Sequence, residues 1–215
     1  MSLSRRLELL EWAQGAGAWI IEDDYDSEYR YAGRPLQALQ SLDEAGRVIY
    51  LGSFSKMLFP KLRLGYLVLP EVLVEPLLRV REALGQEPAI AAQSVLAEFI
   101  ASGAFAKHIR RMRRLYAERQ AALLAALGEH AGGLLTAQRQ DGGMHLIARL
   151  APTLARRVDD AEASMRAAAH GIAAPALSAF YREAPPRQGL LLGYAGVPIE
   201  EMEPAMRRLV AALRA

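Results

Sequence analysis

Residues 47–69, RVIYLGSFSKMLFPKLRLGYLVL, decide the reading of this chain of 215 residues. Val48 to Leu51 is a short run of β-branched, aromatic and aliphatic residues ending at Gly52, and Leu64 to Leu69 is a second apolar run stopped by Pro70. Both are predicted as buried strands. The loop between them carries two hydroxyls, Ser53 and Ser55, then Lys56, and two further cations, Lys61 and Arg63. A lysine just past the end of a buried strand sheds part of its hydration, and a less hydrated amine is the better nucleophile toward a carbonyl. The two hydroxyls and the Arg63 guanidinium are groups that hold phosphate through charge-assisted hydrogen bonds. An amine beside an anion cradle points to a phosphorylated aldehyde as ligand, with Schiff-base chemistry at Lys56. A solvated loop lysine with serines that merely cap a turn is the alternative reading of the loop taken alone.

A second stretch narrows the choice. Trp19 to Glu22 is another short β-rich run, and it leads directly into Asp23, Asp24, Tyr25 and Asp26. Adjacent strands of a parallel sheet place their carboxyl ends side by side, so an acid ending one strand and a lysine following the next can face one ligand in the crevice there. By itself the acidic cluster reads as a solvated turn, or as a cation site built from Asp23, Asp24 and Asp26.

Together the stretches resemble a known family. The pattern S-x-S-K at 53–56, with Arg63 seven residues on, resembles the lysine loop of fold-type I pyridoxal-phosphate (PLP) enzymes, the aminotransferase superfamily. The segments EDDYDSEYRY at 22–31 and HIRRMRRLY at 108–116 are similar to those of the MocR family, bacterial regulators of the GntR type that join a winged-helix DNA-binding domain to an aminotransferase-like domain. The resemblance implies that PLP is held as a Schiff base on Lys56. It also implies that Asp23 partners the pyridine nitrogen, keeping the ring protonated as an electron sink, that Tyr25 lies near the O3′ of the cofactor, and that Ser53, Ser55 and Arg63 hold its phosphate. It further implies a cytoplasmic homodimer, an amino acid or amine effector, and DNA contact only through a winged-helix domain that this chain does not contain. The alternative within the same fold is a free-standing aminotransferase acting on an amino acid. Against transamination, the strand Leu190 to Tyr194 lacks the arginine with which such enzymes hold the substrate carboxylate, a bidentate grip that no other side chain supplies.

Composition sets outer limits. Hydrophobic residues make up 52% of the sequence, enough for a packed core, and the net charge of +2 is too small to imply nucleic-acid binding by itself. Without cysteine there are neither disulfides nor thiolate metal sites. His108, His130, His145 and His170 stand in no metal-ligand spacing and are assigned structural or surface roles, so no metal is expected. There is neither an apolar run long enough to span a membrane nor a signal-peptide pattern, so a soluble protein with no membrane partner is expected.

The fold class expected is α/β, a partial fold-type I transferase. Residues 1–104 would form the second half of a PLP-binding large subdomain, 105–130 a bridging helix, and 131–215 a small α/β subdomain. The first half of such a large subdomain would precede this chain, and the chain without it would be inactive in catalysis. Helices are predicted from Arg5 to Gln14, from Glu71 to Leu84 with a kink or later start at Pro76, and from Ala89 to Ala101, buried on nearly all sides. A loop is predicted at Gly33, Arg34 and Pro35, followed by Leu36 to Leu42. The longest helix, Phe105 to Leu127, has five basic residues between Lys107 and Arg114. Its apolar residues recur at threes and fours, which makes the basic ones a solvated face rather than a nucleic-acid surface. Beyond it, strands are predicted at Met144 to Leu150, Ile172 to Ala174 and Gly189 to Ala195, with helices at Pro152 to Ala169 and Pro198 to Arg214.

Overall fold

The computed structural model describes residues 1–33, 37–85, 90–183 and 187–215. The expected loop at Arg34 and Pro35, the start of the following segment at Leu36 and the helix start at Ala89 lie outside the described residues. The chain divides into two compact units, one of residues 1–28 and 34–109, the other of residues 29–33 and 110–215.

The first unit opens with α1 (Leu3–Ala16). The Ser2 hydroxyl accepts the Arg5 N–H, and Gly17 closes the helix at φ +63, a left-handed conformation that favours glycine. A three-stranded sheet follows. β1 (Ile20–Asp24) and β2 (Val48–Ser53) run parallel, with Ile20 opposite Val48, Asp23 opposite Leu51 and Asp24 opposite Gly52. β3 (Gly65–Val68) returns antiparallel on the other side of β2, with Ser53 opposite Gly65. Acidic side chains tie down the connections. Glu22 accepts the N–H groups of Leu39 and Gln40 at 2.7 and 3.0 Å, and Asp43 accepts those of Ala45, Arg47 and Val48, which turns the chain into β2. Glycine at 52 leaves room for the Tyr66 ring, which a Cβ there would displace.

Two expectations of burial fail in this unit. β3 is exposed along its whole length. It is the edge of the sheet, and its apolar composition permits burial without providing cover. The helix α3 (Ile90–Ala101) buries only Leu96, while Ile90 and Val95 are 70% exposed. Preceding it, α2 (Glu71–Ala83) runs through Pro76 from Glu71, so the proline marks no later start.

α4 (Ala104–His130) is a helix of 27 residues, the first six of which belong to the first unit. Ile109, Tyr116, Gln120, Leu123 and Leu127 make its buried seam, at the spacing of one helical face. The helix ends at His130, the bound expected for the bridging helix.

The second unit contains β4 (Leu135–Thr136), β5 (His145–Leu150) and β6 (Gly189–Gly193), antiparallel in that order. β5 alternates exposed and buried residues, as a strand with one covered face must. The predicted helix at 152–169 is two pieces, α5 (Pro152–Ala155) and α6 (Asp160–Ala169), because Asp159 caps a new start by accepting the Glu162 N–H at 2.8 Å. Ile172 to Ala174 form no strand. Ala176 instead bridges to Leu190, and the Leu191 N–H donates to Pro175 O. The short strand β4 carries too little pattern to be foreseen. α7 (Ile199–Arg214) buries Met202, Met206, Leu209, Val210 and Leu213. The Asp160 carboxylate, itself buried, accepts the N–H groups of Ser178 and Gly189 at 2.9 and 3.0 Å and so pins the start of β6.

Candidate functional site

The parallel register of β1 and β2 sets the geometry of the site. Asp23 and Asp24 are the last two residues of β1, and Ser53 is the last residue of β2, so both strands deliver polar groups at the same end of the sheet. Paired residues share a face of a sheet and successive residues alternate. Asp23 therefore falls on the face of Ile21, Leu51 and Leu67, while Asp24 falls on the opposite face with Tyr50 and Tyr66.

The two carboxylates differ accordingly. Asp24 is engaged: it accepts the Tyr50 hydroxyl at 2.8 Å, the Ser27 hydroxyl at 2.6 Å and the Ser27 N–H at 3.2 Å. Burial, together with that hydrogen bond to Asp24, pushes the Tyr50 phenol far above its ordinary range, so it remains a donor. Asp23 is exposed at the strand end. Tyr25, one residue beyond β1, is 48% exposed. Its phenol is raised above the usual value first by the charge of Asp26, then by partial burial and by Asp23.

Past β2 the ladder continues one step, with the Phe54 N–H donating to Leu64 O at 3.0 Å, and the Ser53 hydroxyl accepts the Ser55 N–H at 3.2 Å. This brings the Ser53–Lys56 segment and Arg63 to the mouth of one antiparallel pair. Arg63 has φ +51, the one non-glycine residue with positive φ among the described residues. Such a conformation costs about 1 kcal/mol or more in a residue with a Cβ and is often found at functional positions. Lys56 and Arg63 are exposed and Ser53 and Ser55 half-buried, so the shedding of hydration expected at Lys56 is not met within this chain. The residue on its carboxyl side, Met57, is only 3% exposed.

Sequence reasoning overlooked Tyr50, read only as a strand residue although its alternation with Gly52 places it on the face of Asp24. His108, assigned a structural or surface role, holds a structural place whose partner was not foreseen: its ring bonds the Met57 carbonyl in the lysine loop. A third grouping, Glu129, His130 and Glu203, brings one ligand-type atom from each within 4.8 Å. The Glu203 oxygen nearest His130, at 3.3 Å, already receives Arg207 at 2.5 Å, which makes the group an ion-pair cluster at the end of α4.

No family model matches the sequence. Individual proteins do. Over all 215 residues the chain is 44% identical to the probable rhizopine catabolism regulatory protein MocR of Rhizobium meliloti, spanning 43% of that protein. The chain matches part of the MocR-type regulators. It corresponds to the C-terminal, aminotransferase-like portion of these MocR-type proteins and spans less than half their length. Its fold is that part of a fold-type I transferase. The kynurenine aminotransferase of Pyrococcus horikoshii superposes over the whole chain with a TM-score of 0.87 at 29% identity, the chain covering 52% of it. LysN, the α-aminoadipate aminotransferase of Thermus thermophilus solved with N-(5'-phosphopyridoxyl)-L-leucine, matches 99% of this chain at a TM-score of 0.84 and 29% identity, with 54% of LysN covered. Among the described residues no helix is long and apolar enough to cross a membrane.

Proposed function

We propose that this chain is the PLP-binding, aminotransferase-like effector and dimerisation part of a transcription regulator, with the cofactor attached through Lys56. The observation that carries the reading is the shared end of β1 and β2, where Asp23 and the Ser53–Lys56 loop emerge side by side. The donor set fits the group. Ser53, Ser55 and Arg63 supply two hydroxyls and a guanidinium for a phosphate, Asp23 supplies a carboxylate for the pyridine nitrogen, and Tyr25 a phenol that stays protonated for the ring oxygen. When bound, the cofactor supplies an electron sink for chemistry at an amine.

The residues act as follows. Lys56 would supply the amine through which the cofactor is held. Asp23 would hold a proton at the ring nitrogen and Tyr25 would donate to the ring oxygen. An amino acid or amine effector would be sensed at the same position. The absence of arginine in Leu190 to Tyr194 favours sensing over transamination of an amino acid. That strand is built for packing instead. Leu190 and Tyr194 are fully buried, and the Tyr194 hydroxyl bonds Gly143 O, Gln120 and Tyr31. Exposed apolar residues of β3 and α3 support association with a second copy, and DNA contact is assigned to a winged-helix segment outside this chain.

The test is borohydride reduction of the full-length protein after incubation with PLP. The cofactor is expected on one peptide containing Lys56, with the label abolished in Lys56→Ala. Label spread over several lysines would overturn the assignment.

A further inference from the structure

The lysine loop is fastened from one side by a single helix. His108, in the second turn of α4, has its ring Nε2 2.9 Å from the carbonyl oxygen of Met57, the residue that follows Lys56. A carbonyl oxygen only accepts, so Nε2 carries the proton, in the neutral ring or in the cation alike. One turn earlier on α4, the Phe105 ring packs edge-on against Phe54 at 6.1 Å, and Phe99 packs against Phe105 at 6.3 Å. Phe54 and Met57 bracket Ser55 and Lys56, and the Leu58 N–H donates back to Phe54 O at 2.9 Å, closing the loop on itself. The segment is thus anchored at both ends, at Phe54 by a ring and at Met57 by a hydrogen bond to a buried residue, while Lys56 between the anchors is exposed.

We propose that His108 is a positioning residue for Lys56, setting the direction of its amine through the Met57 carbonyl. This rests on the reading of Lys56 as the attachment point of PLP and adds to it how that attachment is held in place. The carbonyl held belongs to the peptide that follows Met57, so the bond fixes the chain one residue past Lys56; together with the Phe54 ring anchor it limits the excursions of the Ser55–Lys56 segment and narrows the directions in which the amine is presented. Such restriction would favour attachment of a bound aldehyde at the Lys56 amine over its release by hydrolysis.

The experiment uses the full-length protein loaded with PLP, with His108→Leu, which removes the donor, and His108→Gln, which restores an N–H at similar reach. The readouts are the visible absorbance of the imine, the pH midpoint of that absorbance, and the concentration of PLP needed for half-saturation. His108→Leu is expected to need roughly tenfold more PLP, about the worth of one hydrogen bond that holds the loop in its binding arrangement, and to shift the pH midpoint, while His108→Gln returns both toward the parent. If His108→Leu fails to fold, His108→Asn, whose shorter side chain falls short of Met57, takes its place with the same expected result. A lower melting temperature with unchanged half-saturation and pH midpoint would overturn the proposal, and so would a glutamine variant no better than leucine. The borohydride label on the parent protein keeps the two ideas apart. A parent without label on Lys56 removes the cofactor reading and this inference with it, whereas a labelled parent with an indifferent His108→Leu removes this inference alone.

Discussion

In the sheet β4–β5–β6 the central strand buries Leu146, Ala148 and Leu150, and β6 on its flank buries Leu190 and Leu192. In the sheet β1–β2–β3 the third strand has every residue exposed, and β1 has no fully buried residue at all. The sheet β4–β5–β6 is covered, and buried polar groups beside it are bonded: Asp160 holds two backbone N–H groups, and Tyr194 is bonded on several sides. The sheet β1–β2–β3 carries Asp23, Tyr25, Ser53, Lys56 and Arg63 at an open end. Cover therefore differs between the two sheets. The contrast is the one the proposed function requires, since a core excludes water and a ligand site needs access to it.

The largest effect that tests this comparison is on stability. Leu190→Ala and Leu213→Ala remove fully buried side chains and are expected to lower the unfolding free energy by about 2–5 kcal/mol each. Leu67→Ala, at a residue 46% exposed, is expected to stay within about 0.5 kcal/mol. Urea denaturation of the three variants measures both. Equal losses would mean that the exposed sheet carries as much of the core as the buried one.

Next in size is Asp160→Asn. Burial raises the Asp160 carboxyl, but the hydrogen bonds from Ser178 and Gly189 outweigh it and hold the group below its ordinary value. A lowered folded value means that the carboxylate contributes stability above the unfolded pKa and loses it as pH falls through the folded one. The parent is therefore expected to weaken at acidic pH more steeply than Asp160→Asn. At neutral pH the variant should be less stable by about 1–3 kcal/mol, the cost of weakening a buried charged acceptor. Melting curves between pH 2 and 7 compare the slopes. Parallel curves would remove Asp160 from the acid transition.

How far the sequence reveals this division is itself unequal. β1, β2, α4, β6 and α7 are legible because each has a period or a terminator that only one element type satisfies. The parallel neighbourhood of Asp23 and the lysine loop was anticipated for the same reason. What was misread was cover. The runs Leu64 to Leu69 and Ile90 to Ala101 are apolar enough to be buried, but apolarity records tolerance of burial and says nothing of whether another element lies against it. The break before α6 was written in Asp159, whose capping role was hidden by an alanine-rich context that favours helix on both sides. His108 left no signal, because its partner is a backbone carbonyl fifty-one residues away, and a backbone acceptor has no letter in the sequence.

A smaller effect separates the two adjacent acids. Asp24→Asn is expected to cost stability by about 1–2 kcal/mol, through its bonds to Tyr50 and Ser27, and to leave the chemistry of bound PLP nearly intact. Asp23→Asn, at an exposed position, is expected to do the reverse, with stability unchanged and PLP retained but slower reaction with an amine, since an amide does not keep the ring nitrogen protonated. Paired melting and absorbance measurements on the full-length protein give a crossed pattern if the faces are assigned correctly. Equal effects on both readouts would show that the wrong acid has been placed on the ring.

The smallest effect concerns Tyr25. Its phenol is held above the ordinary tyrosine value, with the charge of Asp26 the largest cause, ahead of partial burial and Asp23. Because a negative neighbour disfavours a second negative charge, Asp26→Asn is expected to bring the Tyr25 ionisation down toward the usual value, and Asp23→Asn to do so less. Tyr25 is about half exposed, so solvent screens these charges and the shifts should be modest and shrink further with added salt. The measurement is an alkaline titration of ultraviolet absorbance, with the Tyr25→Phe curve subtracted to isolate one phenol among the eight tyrosines of the chain. The sign matters more than the size. A phenol that stays protonated donates a hydrogen bond to the oxygen beside it, whereas a phenolate there would repel an anionic ring oxygen. If Asp26→Asn leaves the titration unmoved while Asp23→Asn shifts it, the acid on the ring and the acid controlling the phenol are the same residue, and the open end of the first sheet is more tightly coupled than its exposure implies.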